Sequence, residues 1–293
     1  MEGERDERER QMILVTGATG NVGGAVLEQL VDAGQPVRAL VRDPARLGAR
    51  GGDIAVAKGD LSKPETLDAA FAGADRAFLV CAGGDLPNLA GNAADAAKRA
   101  GVKHIVLLSS SSVARAPDVQ IARWHREAEA RVKASGVAWT MLRPGGFASN
   151  TLRWAASIKA QGAVFQPLGD ARTRPIDERD IAAVAVKALT SPGHEGKEYE
   201  LTGPEALSAA EQVAKIGAAI GRPLRYVDVS EDAAREAMVK AKLPEGFIRA
   251  LLEAFALIRS GKGEEPSSTL EQVLGRRGRT FDEWLERHVK AFQ

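Results

Sequence analysis

Three glycines stand three residues apart in the run Thr16-Gly17-Ala18-Thr19-Gly20-Asn21-Val22-Gly23. The run follows an apolar stretch, Met12–Thr16, and opens a segment where Val22, Val26 and Leu30 recur with helical period. A glycine turn between a strand and a helix is suited to an anion. Gly17 permits the tight turn, Gly20 lets backbone approach phosphate oxygens, and Gly23 lets helix and strand pack closely. The N–H groups around Thr19, Asn21 and Val22, with the positive end of the helix, then face a diphosphate. The strand-loop-helix context favours a dinucleotide over a plain turn.

The second apolar run, Pro36–Arg42, ends in Val41-Arg42-Asp43. An acid at its end would bind a ribose 2′-hydroxyl, but Val41 holds that position and Arg42 follows it. A guanidinium pairs with a 2′-phosphate, so the expected dinucleotide is NADP(H) in preference to NAD(H). The plainer reading is a solvated arginine paired with Asp43. Asp60 and Leu61, after the third run, would lie beside the adenine, the carboxylate accepting from its amino group and the leucine packing on the ring. Asp60 also reads as an acid just before a helix, Ser62–Phe71, with Ser62 as cap and Glu65 completing a capping box. The two readings are compatible.

Such residues need a scaffold. Apolar runs at Met12–Thr16, Pro36–Arg42, Ile54–Lys58, Ala74–Cys81, Val102–Ser109 and Val137–Leu142 alternate with helical patterns at Asn21–Ala33, Ser62–Phe71, Leu86–Ala100 and Val119–Ala134. The alternation predicts an α/β fold, a doubly wound parallel sheet with helices on both faces. After Pro144 the pattern changes: helices are expected near 148–160, 178–190, 208–220, 231–242, 245–259 and 280–291. Extended pieces are expected near 173–177, 197–202 and 224–229. The organisation expected is a disordered leader (1–11), a dinucleotide-binding domain (12–147, with later segments returning to it) and a smaller C-terminal α+β substrate lobe (148–293). Asp177 reads as a helix N-cap and Asp180 as structural; Arg276-Arg277-Gly278-Arg279 reads as a solvated loop.

The 293 residues are 44% hydrophobic with a formal net charge of +1. That suffices for a sizeable core and argues against a nucleic-acid partner. Cys81 is the one cysteine, so no internal disulfide can form, and cytoplasmic residence is expected. It ends an apolar run and reads as a small hydrophobe rather than a redox thiol. The mixed-charge leader lacks the apolar core of a secretory signal, and no run is long enough to span a bilayer, so no membrane partner is expected. The histidines show no metal-ligand spacing, and no metal is expected. A monomer or homodimer acting on a small molecule is anticipated.

With these residues placed, the sequence resembles the atypical short-chain dehydrogenase/reductases of the NmrA-like type. The words that carry the resemblance are Val-Thr-Gly-Ala-Thr-Gly-Asn-Val-Gly at 15–23, Val-Arg-Asp-Pro at 41–44 and Gly-Asp-Leu at 59–61. Ser-Gly-Val-Ala-Trp-Thr-Met-Leu-Arg-Pro-Gly-Gly-Phe at 135–147 with Asn150, Asp177…Asp180-Ile181-Ala182 and Tyr199-Glu200-Leu201-Thr202-Gly203-Pro204 follow in order. The resemblance implies a Rossmann domain, NADP(H) and a substrate lobe. It implies that Cys81, Ala82 and Gly83 line the cofactor's ribose side, and that Pro144, Gly145, Gly146 and Phe147 face the nicotinamide. Members of the family include quinone and dye reductases and redox-sensing regulators.

Most short-chain dehydrogenases carry Tyr-x-x-x-Lys on the fifth helix. Here the only tyrosines are Tyr199 and Tyr226, and the dyad's positions fall on Ile121 and His125. Alcohol dehydrogenation by the ordinary route is therefore not expected. NADPH carries the reducing chemistry, and a protein that positions a quinone, dye or enone against it needs little else. His125 either contacts the nicotinamide ribose, supplies a proton, or packs as an ordinary helix residue. Ser110 occupies the place where the family puts a substrate-facing polar group, and also fits a loop. Asn150 either orients the substrate or caps the helix that starts nearby, Trp154 either lines a substrate pocket or packs near the lobe junction, and Phe147 either stacks at the nicotinamide face or packs as core. The resulting expectation is an NADPH-dependent reductase of small apolar or aromatic acceptors, with a non-catalytic NADP(H)-sensing protein as the alternative.

Overall fold

The computed structural model describes residues 11–47, 54–83, 85–261 and 265–293, so all but the last residue of the expected leader lies outside it. β1 (Ile13–Val15) leads through the glycine loop into α1 (Asn21–Asp32), β2 (Val37–Val41) and β3 (Ile54–Lys58). α2 (Leu67–Phe71), β4 (Arg76–Leu79), α3 (Leu86–Arg99) and β5 (His104–Leu108) follow. Next come α4 (Ser112–Arg115), α5 (Gln120–Ala134) and β6 (Ala138–Pro144). Beyond a 3-10 helix at Ala148–Trp154 lie α6 (Ala155–Gln161), β7 (Ala163–Gln166), β8 (Arg172–Thr173), α7 (Glu178–Thr190) and β9 (Lys197–Leu201). The chain then forms β10 (Leu207–Ser208), α8 (Ala209–Ala219), β11 (Arg225–Asp228), α9 (Glu231–Lys240), α10 (Glu245–Arg259), α11 (Thr269–Leu274) and α12 (Phe281–His288).

Seven strands pair in the order β3-β2-β1-β4-β5-β6-β9. The neighbours from β3 to β6 run parallel. Gly196 N–H donates to the Trp139 carbonyl and Gly145 N–H to the Leu201 carbonyl, so β9 ascends alongside β6. The extended piece near 197–202 is the sheet's seventh strand, a later segment that returns to the sheet. Strand order reverses between β1 and β4, the switch point where open α/β sheets bind ligands outside the strands' carboxyl ends.

By internal contacts the chain divides into two compact units. One takes the chain up to Ser109 with Trp124–Leu142 and Ile181–Tyr199; the other takes Ser110–Arg123, Arg143–Asp180 and Glu200–Gln293. In the first, α3 turns Ala90, Ala93, Ala94 and Ala97 inward at helical spacing, all fully buried. Methyl groups let the helix lie close to the sheet, in one core with Leu14, Leu79 and Leu107.

The capping box expected at Ser62 does not form. Ser62 donates through its backbone N–H (3.0 Å) and hydroxyl (2.9 Å) to Asp60 Oδ1. The helical turn starts only at Pro64. Proline drives the preceding Lys63 out of the helical region (φ −124°, ψ 83°), which leaves the local turn at Asp60 as the satisfied alternative.

The second unit packs Ile158, Val164, Ile216, Phe281, Trp284 and Phe292 into its own core. Asp177, Glu178 and Asp180, around the start of α7, are buried. Asp177 caps α7, accepting from Arg179 N–H at 2.9 Å, and pairs with Arg287. Glu178 accepts from the Trp284 indole at 3.1 Å. Asp180, fully buried, accepts from Arg276 (2.7 Å), from the Arg279 backbone (2.6 Å) and from the Arg279 guanidinium. The arginine cluster expected to be a solvated loop is thus the counter-charge of Asp180. Burying that carboxylate is tolerable only because it is paired and hydrogen-bonded.

In the first unit, the hydrogen bonds around His104 fix its tautomer. Thr140 has one hydroxyl proton and gives it to the His194 carbonyl at 2.6 Å. Its oxygen therefore accepts from His104 Nε2–H at 2.9 Å, and buried Nδ1 is left bare. Burial pushes the His104 pKa down to about 4. The folded state holds a neutral ring between pH 6.5 and 4 while the unfolded chain takes up a proton, so stability is full above 6.5 and falls as the pH drops toward 4. The expected loss is about 3 kcal/mol from this group. His125 titrates in the same window, so the contribution of His104 is the difference between wild type and His104→Gln in urea melts at pH 7 and pH 4.5. Identical pH dependence in the two would contradict it.

Candidate active site

The glycine loop begins where β1 is tied to β4. Thr16 Oγ1 accepts from Val80 N–H at 2.7 Å and donates to the Val80 carbonyl at 3.3 Å. Gly17 then turns the chain at φ +61°, where a β-carbon would also fall 2.8 Å from Val80 Cβ. Gly20 N–H closes the turn onto the Gly17 carbonyl at 2.8 Å. A β-carbon on Gly23 would lie 2.3 Å from that same oxygen, a fixed backbone atom. Gly20 is different. Its φ of −93° suits any residue, and a β-carbon there meets only the Gly17 oxygen, at 3.3 Å.

Helix α1 starts on Gly20 with no side-chain cap and no acid in its first turn. The N–H groups of Asn21 and Val22 have no acceptor within the helix, and the helix dipole adds positive charge at that end. Thr19, Gly20 and Asn21 are exposed, while Val22 is buried. Bare amides, partial positive charge and open space before Gly20 fit a diphosphate.

Next along the sheet edge, Arg42 is exposed after β2 and makes no hydrogen bond or ion pair among the described residues. Asp60 is half-buried after β3. The Ser62 N–H and hydroxyl hold its carboxyl below the usual range, and the Arg42 charge adds to this. The Asn92 side chain donates to the Leu61 carbonyl at 2.8 Å, clamping that lip to α3. Sequence reasoning missed Asn92. The available signal was an amide on a helix whose inward positions are mostly alanine. Past β4, Cys81 is buried and its thiol is pushed up to about 12 by burial, which leaves it unreactive; Ala82 and Gly83 are exposed.

His125 is half-buried on α5. Burial pushes its imidazole down to about 4, against the opposing pull of the Glu129 charge one turn along. Ser109, at the end of β5, donates to Glu129 Oε1 at 2.6 Å in a buried pair.

In the second unit, Ser110 Oγ lies 2.9 Å from Ser112 Oγ, in a local hydroxyl pair. Pro144 is buried at the end of β6, and Gly145 is tied through its N–H to Leu201. Half-buried Phe147 bridges to Ile176. Asn150 is exposed and Trp154 packs half-buried on the core around Ile158 and Trp284.

The loop's two kinds of glycine separate in mutagenesis. Gly23→Ala drives a β-carbon into backbone and should cost about 1–3 kcal/mol of stability in a urea melt. Gly20→Ala should leave stability within about 0.5 kcal/mol yet abolish dinucleotide binding in a fluorescence titration. Normal binding by Gly20→Ala would contradict the diphosphate assignment.

Residues 17–192 match the family model described as NAD(P)H-binding. An NAD(P)H azoreductase of Xenophilus azovorans is 44% identical over 96% of this chain and 99% of its own. A (4-alkanoyl-5-oxo-2,5-dihydrofuran-3-yl)methyl phosphate reductase of Streptomyces griseus is 45% identical, again over 96% and 99%. The solved structure of an NADPH-dependent quinone oxidoreductase from Escherichia coli, complexed with NADPH, superposes with a TM-score of 0.82 at 30% identity, over 94% of this chain and 99% of that one. A triphenylmethane reductase from Citrobacter sp. superposes at 0.80 and 25% identity, over 96% and 99%. The chain belongs to the NAD(P)H-binding family, among its NmrA-like atypical short-chain dehydrogenase/reductases.

Proposed function

We propose that this protein is an NADPH-dependent reductase that delivers hydride to a small apolar or aromatic acceptor of quinone, dye or enone type. The observation that carries the reading is the bare, acid-free start of α1 beside the unpaired Arg42. The relatives add a chemical common ground: azo, quinone, triphenylmethane and dihydrofuranone groups all take a hydride into a conjugated system. When bound, NADPH supplies the hydride.

The chain's own residues hold and orient. Gly17, Thr19, Gly20, Asn21, Val22 and Gly23 cradle the diphosphate, and Arg42 takes the 2′-phosphate and favours NADPH over NADH. Asp60 and Leu61 receive the adenine. Cys81, Ala82 and Gly83 line the ribose side, and Pro144, Gly145 and Phe147 meet the nicotinamide. Asn150 and Trp154 orient the acceptor. A neutral His125 hydrogen-bonds the ribose and does not store a proton at pH 7, which leaves the Ser110 hydroxyl as the remaining candidate donor. Acceptors that need little protonation as hydride arrives suit such a site. Cytoplasmic residence and a monomeric or homodimeric state complete the reading.

The alternative, an NADP(H)-sensing binding protein, is favoured by Ile121 and His125 standing where the usual dyad would be. Turnover decides between them. A panel of quinones, azo and triphenylmethane dyes and enones should show NADPH oxidation well above background. Arg42→Ala should raise the KM for NADPH about 10- to 100-fold and leave that for NADH unchanged. Tight NADPH binding with no turnover across the panel would hand the case to the sensor. Equal losses for both cofactors would remove Arg42 from its role.

A further inference from the structure

Ala148–Trp154 is seven consecutive residues of 3-10 helix, about twice the usual run of 3–4. A 3-10 helix repeats every three residues, so positions i, i+3 and i+6 stand in one row. Burial in this segment follows that period. Ala148 and Thr151 are buried, and Trp154 in the same row packs on the core. Ser149 is buried, and Leu152 beside it packs on the same core. The third row is Asn150 and Arg153, an exposed amide and an exposed guanidinium, entered from half-buried Phe147, the extended residue (φ −79°, ψ 143°) at the helix N-cap. An α-helix would have turned Trp154 to the Phe147 side and rotated Arg153 away from Phe147, leaving it only an i+3 neighbour of Asn150.

The geometry is pinned. Ala148 N–H donates to the Ile176 carbonyl at 2.9 Å and Asn150 N–H to the Phe147 carbonyl at 3.0 Å. Thr151 Oγ1 donates to the Ala148 carbonyl at 2.7 Å. Arg153 makes no hydrogen bond or ion pair among the described residues. Arg115, Arg172, Arg259 and Arg287 of the same unit pair with acids, whereas Arg225 and Arg249, like Arg153, do not among the described residues.

We propose that Phe147, Asn150 and Arg153 form one specificity row, and that Arg153 selects acceptors carrying an anionic substituent: a carboxylate, sulfonate or phosphate monoester. The proposal rests on the reductase reading for the site it serves. At a rise of about 2.0 Å per residue, Arg153 stands about 6 Å beyond Asn150 and about 12 Å beyond Phe147. The conjugated part of the acceptor lies along Phe147 and Asn150, and its acidic group reaches the guanidinium, which can grip two oxygens at once.

The test uses a matched pair, menadione and its sulfonated counterpart, with NADPH in excess. The wild-type protein should show a KM at least about tenfold lower for the sulfonated quinone. Arg153→Gln should raise that KM about 10- to 100-fold, with Arg153→Lys restoring part. The kcat, the KM for NADPH and the KM for menadione should not move. Equal KM values for the two quinones in the wild type, or an equal change in both on substitution, would overturn the row. If neither quinone is reduced although NADPH binds, the reductase reading fails separately. Calorimetric binding of the sulfonated quinone to the NADP+-loaded protein then still decides the row: loss in Arg153→Gln supports it, and unchanged binding overturns it.

Discussion

The Gly17 carbonyl sits where a β-carbon of residue 23 would have to go, and this contact fixes where α1 begins relative to β1. With no side chain at 23, the first helical turn lies directly on the loop that enters it. The Thr16–Val80 pair sets the gap between β1 and β4, so that turn stands at the point where strand order reverses. The helix start is then left without a cap and without an acid. A helix in that state carries bare donors and partial positive charge, a standing demand for an anion. Arg42 and the clamped Asp60–Leu61 lip stand at the ends of the next two strands, where the rest of a dinucleotide can follow.

Around this anchor the chain offers little acid–base machinery. Burial holds His125 neutral and the Cys81 thiol protonated, and Ser109 is committed to Glu129. On the proposed reading, the residues supply position more than proton transfer. That matches acceptors whose conjugated systems take a hydride directly, and it gives physical meaning to the missing tyrosine–lysine dyad.

Local signals were legible where they were cooperative. The glycine loop, the alternating strands and helices and the cap at Asp177 could all be read because period, turn chemistry and spacing agree within a few residues. Failures came where one local preference beat another, or where the partner was distant. Ser62 looked like a helix cap, but Pro64 denied the helix its start and Asp60 captured the hydroxyl. Arg276 and Arg279 looked solvated because nothing near them in sequence hints at Asp180, almost a hundred positions away. That later segments return to the sheet was legible, but not that β9 is the one beside β6, because strand pairing across a long crossover leaves no mark in composition. The helix near 148 was anticipated, but not its threefold period. A run of three-residue turns differs from an α-helix in which neighbours share a face, and it sets Arg153 directly above Asn150 instead of rotated from it by about 60°.

The central claim is that the amides opening α1 receive a dinucleotide's diphosphate. Amide NMR on uniformly labelled protein tests it most directly, by comparing NADP+ with nicotinamide riboside, which has no diphosphate. The account predicts large downfield shifts of the Asn21 and Val22 amide protons with NADP+ and none with the riboside. Binding of NADP+ that leaves those amides unmoved, or equal shifts with both, would contradict it.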